Sequence, residues 1–185
     1  MRIAFKEWAI VVDALGHGEQ IIILRKGGIA ESQGGFKPEH PQFLLFPTLF
    51  HQQRDNVLLA AQRRYDEIAP TLPGPDRLHL EYHGEIVYWE RLDSLAMAER
   101  LRGQHIWRDE VIAERFDWGK QKNIFAMAVR VYRLPQPVDL PMLPAYGGCK
   151  SWVELDQDIP LSQAHPVLSD SAFAAHLQRL SFTHK

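Results

Sequence analysis

Residues 18–28 read GEQIIILRKGG. A glycine leads toward Ile21, Ile22, Ile23 and Leu24, and Arg25, Lys26, Gly27 and Gly28 follow at once. β-Branched residues without polar alternation predict a strand over 20–25 that is buried on both faces. That strand ends in a small cationic tip. Glycine N–H groups can turn toward an anion there, and the two cations add charge. No Lys-Ser/Thr pair opens a helix behind the glycines, so the tip is not a P-loop. The plainer alternative is a solvated strand end followed by a flexible turn.

Working outward, Phe5, Trp8, Val12 and Leu15 recur at helical spacing, which predicts a helix over 3–15 stopped by Gly16 and Gly18. Residues 26–41 are rich in glycine and read as a loop. FLLF at 43–46 is a second strand, ended by Pro47. Residues 55–68 form an amphipathic helix with Asp55 as its N-cap. APTLPGPD is a linker, and LHLEYHGEIVYWERL reads as a hairpin turning at His83-Gly84. Ser94 caps a short helix that Gly103 ends, and 109–116 form another. IFAMAVRVYRL alternates as a strand that the prolines of LPQPVDLP terminate. SWVEL is a short strand, and Ser169 or Asp170 caps a last helix. Strands and helices interspersed at irregular intervals predict an α+β fold rather than a doubly wound sheet. The expectation is a single domain over 1–185, with the linker 69–77 as a sub-boundary.

The 185 residues suffice for a core without staples. A formal net charge of −2 provides no global basic field for nucleic acid, so any such contact needs local clusters of cations. Cys149 is the single cysteine, which excludes an intramolecular disulfide and a cysteine-built zinc site. No secretory leader opens the chain and no apolar run reaches membrane-spanning length, so a cytoplasmic protein with no membrane partner is expected.

Polar groups cluster in three further stretches. FPTLFHQ offers Thr48, His51 and Gln52 just past a strand, groups that can read a base edge or polarise a carbonyl. FDWGKQK sets Trp118 beside Lys120, a stacking-plus-phosphate pairing, or equally a helix C-cap with Gly119 in the left-handed position. YGGCKSW combines Lys150, Ser151 and Trp152 around two glycines. Cys149 could serve as a nucleophile, but a lone cysteine more often acts as a small buried hydrophobe. No metal site is expected from histidine spacing. Glu7, Glu19 and Glu31 near the cationic tip could hold Mg²⁺ under a nuclease reading, the one cofactor considered.

LRKGGI, LFPT followed by HQ, and GCKSWVEL resemble a bacterial family of unknown function, DUF1802, over nearly the whole chain. That resemblance implies no activity. The opening also resembles the ASCH and EVE branch of the PUA-like superfamily, whose signature G-x-K-T-x-E-x-R aligns with Gly18 through Arg25. The helix VIAERFDWG followed by a long strand agrees with the same order. The resemblance implies a PUA-like mixed β-barrel with flanking helices and a positively lined cleft for RNA, a modified base or a nucleotide. Some ASCH proteins hydrolyse acylated cytidine. Here Gln20, Ile21 and Ile23 stand at the signature Lys, Thr and Glu positions, and such side chains supply neither amine nor alkoxide. Only Arg25 carries over.

The expected function is therefore a nucleic-acid or nucleotide binding module, with RNA, a single strand or a nucleotide as partner. Arg25 and Lys26 would hold phosphate with the Gly27-Gly28 turn. Trp118 or Trp152 would stack on a base, Thr48, His51 and Gln52 would read its edge, and Lys120, Lys150 and Ser151 would line the rim. One rival is a hydrolase or metal nuclease using His51, Glu31 or Glu7. Another is a protein-interaction accessory domain with exposed aromatics as anchors.

Overall fold

The computed structural model describes residues 1–26, 38–49, 53–119 and 121–180. Its centre is a seven-stranded mixed sheet, curled into a half-barrel with helices at its flanks. The strands are β1 (Ile3–Trp8), β2 (Ile22–Arg25), β3 (Gln42–Thr48), β4 (Arg77–Leu92), β5 (Ile124–Pro141), β6 (Trp152–Glu154) and β7 (His165–Pro166). They are ordered β2-β5-β4-β3-β1-β6, with β7 also on β5. The helices are α1 (Ala9–Gly16), α2 (Leu59–Ile68), α3 (Leu95–Glu99), α4 (Asp109–Asp117) and α5 (Asp170–Arg179). The α+β expectation holds. Pairing of β3 with β4 crosses the 69–77 linker.

The central run behaves as its composition dictates. Ile22, Ile23 and Leu24 are fully buried in β2, which pairs antiparallel with Leu24↔Ala126 in register. Ser94 and Ser169 accept from the backbone N–H of Met97 and Ala172, so the caps of α3 and α5 fall where expected. Asp55, by contrast, lies in a 3-10 turn ahead of α2, whose N-cap is Leu58.

The N-terminal segment departs from its helical spacing. Residues 3–8 form β1, and the helix begins only at Ala9. Trp8 separates them with φ −59° and ψ 138°. A short apolar run is ambiguous between the two periods. Here parallel pairing with β3 (Phe5↔Leu45) and antiparallel pairing with β6 (Phe5↔Trp152) settles it. α1 is buried almost all round, as a core helix must be when it is apolar on every face.

There is no hairpin at His83-Gly84. β4 is one continuous strand of 16 residues, with Phe43↔Gly84 on one side and Gly84↔Val131 on the other. The glycine answers a need for space, not for a turn. A Cβ at Gly84 would lie 2.7 Å from Val129 Cγ1 and 3.1 Å from the Phe43 ring. Gly84→Ala is therefore expected to destabilise the chain by about 1–3 kcal/mol in urea unfolding, the ordinary cost of overpacking. A neutral effect would show that the strands separate more easily than this packing implies.

The prolines do not end β5 either, for the strand runs on to Pro141. Pro135 and Pro137 fall where the register jumps from Tyr82↔Arg133 to Leu80↔Val138, so no ladder hydrogen bond is asked of them.

One core lies against the helices and includes Phe5, Leu24, Phe43, Leu45 and Trp107. A second lies on the other face, where Leu44, Phe46 and Leu80 meet Tyr146, Val153 and Leu155. No helix among the described residues is long and apolar enough to cross a membrane.

Candidate functional site

The strands β2 and β6 stand at the two ends of the sheet order, yet the curl brings them within reach of each other. Arg25 Nε and Nη2, at the end of β2, donate to Ser151 Oγ at 3.2 and 3.0 Å, just before β6. The Arg25 guanidinium also lies 5.2 Å from the centre of the Phe5 ring on β1. Among the described residues, side chains thus close the half-barrel where backbone pairing does not.

Other cations converge on this seam. Lys6 of β1 donates through Nζ to Gly148 O at 3.1 Å, and Lys150 donates to Ala145 O at 2.8 Å. Both hold the turn that carries Ser151. Burial lowers the pKa of Lys6, the positive charge of Lys150 adds to the shift, Cys149 opposes it, and Arg25 lowers it by a smaller amount. Arg115 of α4 sits between the rings of Trp8 and Trp107, with centroids at 4.6 and 5.1 Å, and donates to Leu24 O at 3.2 Å. As a residue Arg115 keeps some exposed surface, but its enclosed guanidinium governs its proton affinity. Burial pulls its pKa down to about 10, Glu7 opposes the shift and Arg25 adds to it.

Glu7 is the buried carboxylate of the cluster, 1% exposed. Its Oε1 accepts from the Trp8 N–H at 2.7 Å, while Oε2 has no hydrogen-bond partner among the described residues. Thr48 donates to the Glu7 carbonyl at 3.0 Å, which ties the end of β3 to the end of β1. Gln53, fully buried, donates to the Thr48 carbonyl and accepts from Ile10 N–H.

Lys26 faces away from this gathering. Its Nζ donates to the carbonyls of Phe116 at 3.1 Å and Asn123 at 2.8 Å, and to that of Gln121. An ammonium has three donors, and here each holds a carbonyl of the chain that leaves α4. Lys26 thus acts as a C-terminal cap supplied from another element. Burial lowers its pKa, Lys122 adds to the shift and Asp117 opposes it.

The two tryptophans expected to stack on a base differ. Trp152 is engaged edge-on with Phe5 at 4.8 Å, Phe43 at 5.3 Å and His40 at 5.1 Å. Trp118 is 51% exposed at the end of α4, with Gly119 following at φ +76°. The helix C-cap reading of FDWG is therefore correct, and it leaves the indole in solvent.

Gly27, Gly28, Glu31, His51, Gln52 and Lys120 lie outside the described residues. Among those described, no group of three acidic, histidine or cysteine side chains could hold a metal ion. Cys149 is exposed, contrary to the buried role a lone cysteine suggests. Gln20, at the signature lysine position, braces the core: its Nε2 donates to Ile22 O at 2.7 Å and its Oε1 accepts from Ile106 N–H at 3.0 Å.

Of the residues singled out in the sequence, Arg25 and Ser151 meet directly and Thr48 ties β3 to β1, while Lys6, Arg115 and Gln53 were not foreseen. Period-two alternation in IAFKEW, Lys6 facing away from Phe5 and Glu7, was the available signal for Lys6. Arg115 left none, because a cation on a helix face is ordinarily a solvated one.

A family model described as Domain of unknown function (DUF1802) matches residues 4–179, and the chain belongs to that family. No curated protein matches the sequence. The crystal structure of the ASCH protein from Zymomonas mobilis matches with a TM-score of 0.42 at 11% identity, covering 96% of this chain and 94% of that one. A point mutant of the same protein matches with a TM-score of 0.45 at 10% identity, covering 84% of this chain and 90% of that one.

Proposed function

We propose that this DUF1802 member binds a short single strand of RNA, or a nucleotide, by gripping phosphate at the barrel seam. One observation carries the reading: Lys6, Arg25 and Lys150 come from separate segments to one stretch of the seam, where the charge of Lys150 and, to a smaller extent, that of Arg25 lower the pKa of Lys6. An anion relieves that repulsion and accepts the donors that the protein leaves over. Arg25 takes the role expected of it, and Lys6 replaces Lys26 as its partner. Trp118 is the stacking surface, since Trp152 is held among other rings. The near-neutral chain favours a short ligand over a long duplex, because few phosphates are neutralised.

The test is an anisotropy titration of labelled oligouridylate and of an RNA duplex over a salt series. Saturable binding of the single strand is expected, with a shallow slope matching two to three contacts, about −1.4 to −2.1. Absence of saturable binding to either probe would sink the proposal. Lys26→Met separates the old assignment from the new one. It should cost roughly 1–3 kcal/mol of stability by orphaning carbonyls at the end of α4, while leaving affinity nearly unchanged. A large affinity loss in a folded Lys26→Met chain would return Lys26 to the clamp.

Glu7 Oε2 supports a second reading, hydrolysis with Glu7 as the acid or base. Cleavage of the bound strand that Glu7→Gln abolishes without loss of binding would establish it. An intact strand after prolonged incubation with the parent chain would remove it.

A further inference from the structure

A cleft separate from the seam opens between α1, the turn after α2, and the first part of β4. Its volume is about 350 Å³, within the range of small-molecule sites. Its lining includes an apolar set, Val12, Leu45, Ile68, Leu72 and Pro73. Polar side chains line it in two groups: Asp13, His17 and Arg64 beside α1 and α2, and His79, Glu81 and Tyr82 of β4 with Arg133 of β5.

Most of the charges that line it are already matched. Asp13 receives both Arg64 Nε and Nη2 at 2.9 Å. His17 lies beside the same carboxylate at 3.4 Å. His79 is held between Asp139 at 2.8 Å and Glu81 at 3.0 Å. Arg133 is the exception. Its Nη2 donates to the Tyr82 hydroxyl at 2.8 Å, but its approach to Glu81 is 3.8 Å, beyond a hydrogen bond. Among the described residues the rest of its fork has no hydrogen-bond partner, although Arg133 is only partly exposed.

The shelf beneath that guanidinium is rigid. Arg133 sits 5.0 Å from the centre of the Tyr82 ring, and that ring is 5% exposed. It packs directly on the α1 backbone, where a Cβ at Gly16 would fall 2.3 Å from Tyr82 Cζ. The register jump between Leu80 and Tyr82 also leaves Glu81 outside the ladder and turned to the cleft. Such irregularities recur beside binding sites because they re-aim side chains.

We propose that this cleft binds a small monoanion with an apolar body, an aryl or alkyl carboxylate, whose carboxylate takes the open fork of Arg133. The guanidinium geometry matches a carboxylate in two parallel hydrogen bonds. A cationic ligand finds no open acceptor of comparable strength, because Glu81 and Asp13 already hold His79 and Arg64. The apolar set takes the body of the ligand, and Tyr82 lies under its charged end.

The experiment is a ¹H–¹⁵N NMR titration with 2-naphthoate, 2-naphthalenemethanol and 2-naphthylmethylamine, which share a body and differ in charge. Naphthoate is expected to saturate near about 1 mM, a modest affinity for its size. Shifts should centre on Val12, Leu72, Tyr82 and Arg133. The alcohol and the amine should bind about tenfold more weakly or worse. Arg133→Gln should reduce naphthoate binding to the level of the alcohol. Arg25→Ala should leave it unchanged, which separates this cleft from the seam. Equal affinity for the three probes, naphthoate shifts centred elsewhere, or full naphthoate affinity in Arg133→Gln would each overturn the proposal. Should Arg133→Gln not fold, the probe comparison on the parent chain decides alone.

Discussion

A chain carrying both Lys6→Ala and Arg25→Ala should bind single-stranded RNA about a hundredfold more weakly than the parent, or worse. Each substitution removes charge-assisted hydrogen bonds, typically about 1.5–3 kcal/mol apiece, and roughly 1.4 kcal/mol is tenfold in affinity. The salt slope should fall by about 1.4 at the same time, the share of two phosphate contacts to a single strand. Loss of affinity with an unchanged slope would mean that the pair acts through the fold and not through phosphate. Arg25 also closes the half-barrel through Ser151 and covers the Phe5 ring. Arg25→Lys is therefore the companion variant. It keeps the charge, loses the fork, and should retain more affinity than Arg25→Ala at a similar thermal midpoint. Parent-level binding by the double variant would end the phosphate-clamp reading.

Acid should destabilise the protein through His105. This imidazole is 5% exposed against Trp107, and burial pulls its pKa down to about 4 from 6.5, with Asp109 opposing the shift. The unfolded chain therefore takes up the proton first as pH falls. Stability is full above about 6.5, falls as the unfolded histidine titrates, and stops falling below about 4. The loss attributable to this residue is about 3 kcal/mol, from roughly 1.4 kcal/mol per pH unit across that window. His83, buried and also shifted downward mainly by burial, acts with the same sign. Urea unfolding at pH 7 and pH 4 measures the total. His105→Gln should remove about 3 kcal/mol of the difference, and an undiminished difference in that variant would show that the acid sensitivity arises elsewhere.

Some of this architecture was legible before any coordinates. The β-branched run Ile21 to Leu24, closed by Arg25-Lys26 and two glycines, read as a strand covered on both faces, and Ile22 to Leu24 form one. Serine at 94 and 169 ahead of short amphipathic segments marks helix starts, because its hydroxyl answers an N–H that the helix cannot. The α+β class followed from the same local signals. The candidate site was legible in part. Arg25, Thr48 and Ser151 stood out as polar groups at strand ends, and strand ends are where a barrel gathers its functional side chains.

Local signals failed where two elements compete for the same residues. His83-Gly84 has the composition of a turn, yet Gly84 is a strand residue whose missing side chain makes room for Val129 and Phe43. Phe5, Trp8, Val12 and Leu15 keep helical spacing across the boundary between a strand and a helix. Lys26 looks like half of an anion clamp, and its donors instead hold a carbonyl at the end of α4 and others in the segment that follows it.

The sequence by itself determined which residues are apolar enough to form the sheet, that Ser94 and Ser169 start helices, and that the chain has no global charge for a long nucleic acid. Local composition is enough for each, because each depends on neighbours in the chain. Only the tertiary structure decided that β2 and β6 meet at Arg25 and Ser151, that Lys6 and Arg115 join them, and that Arg133 overlooks a second cleft. Those outcomes depend on the curl of the sheet and on the register jump in β5. Both follow from side chains far apart in sequence packing against one another, so no window along the chain contains them.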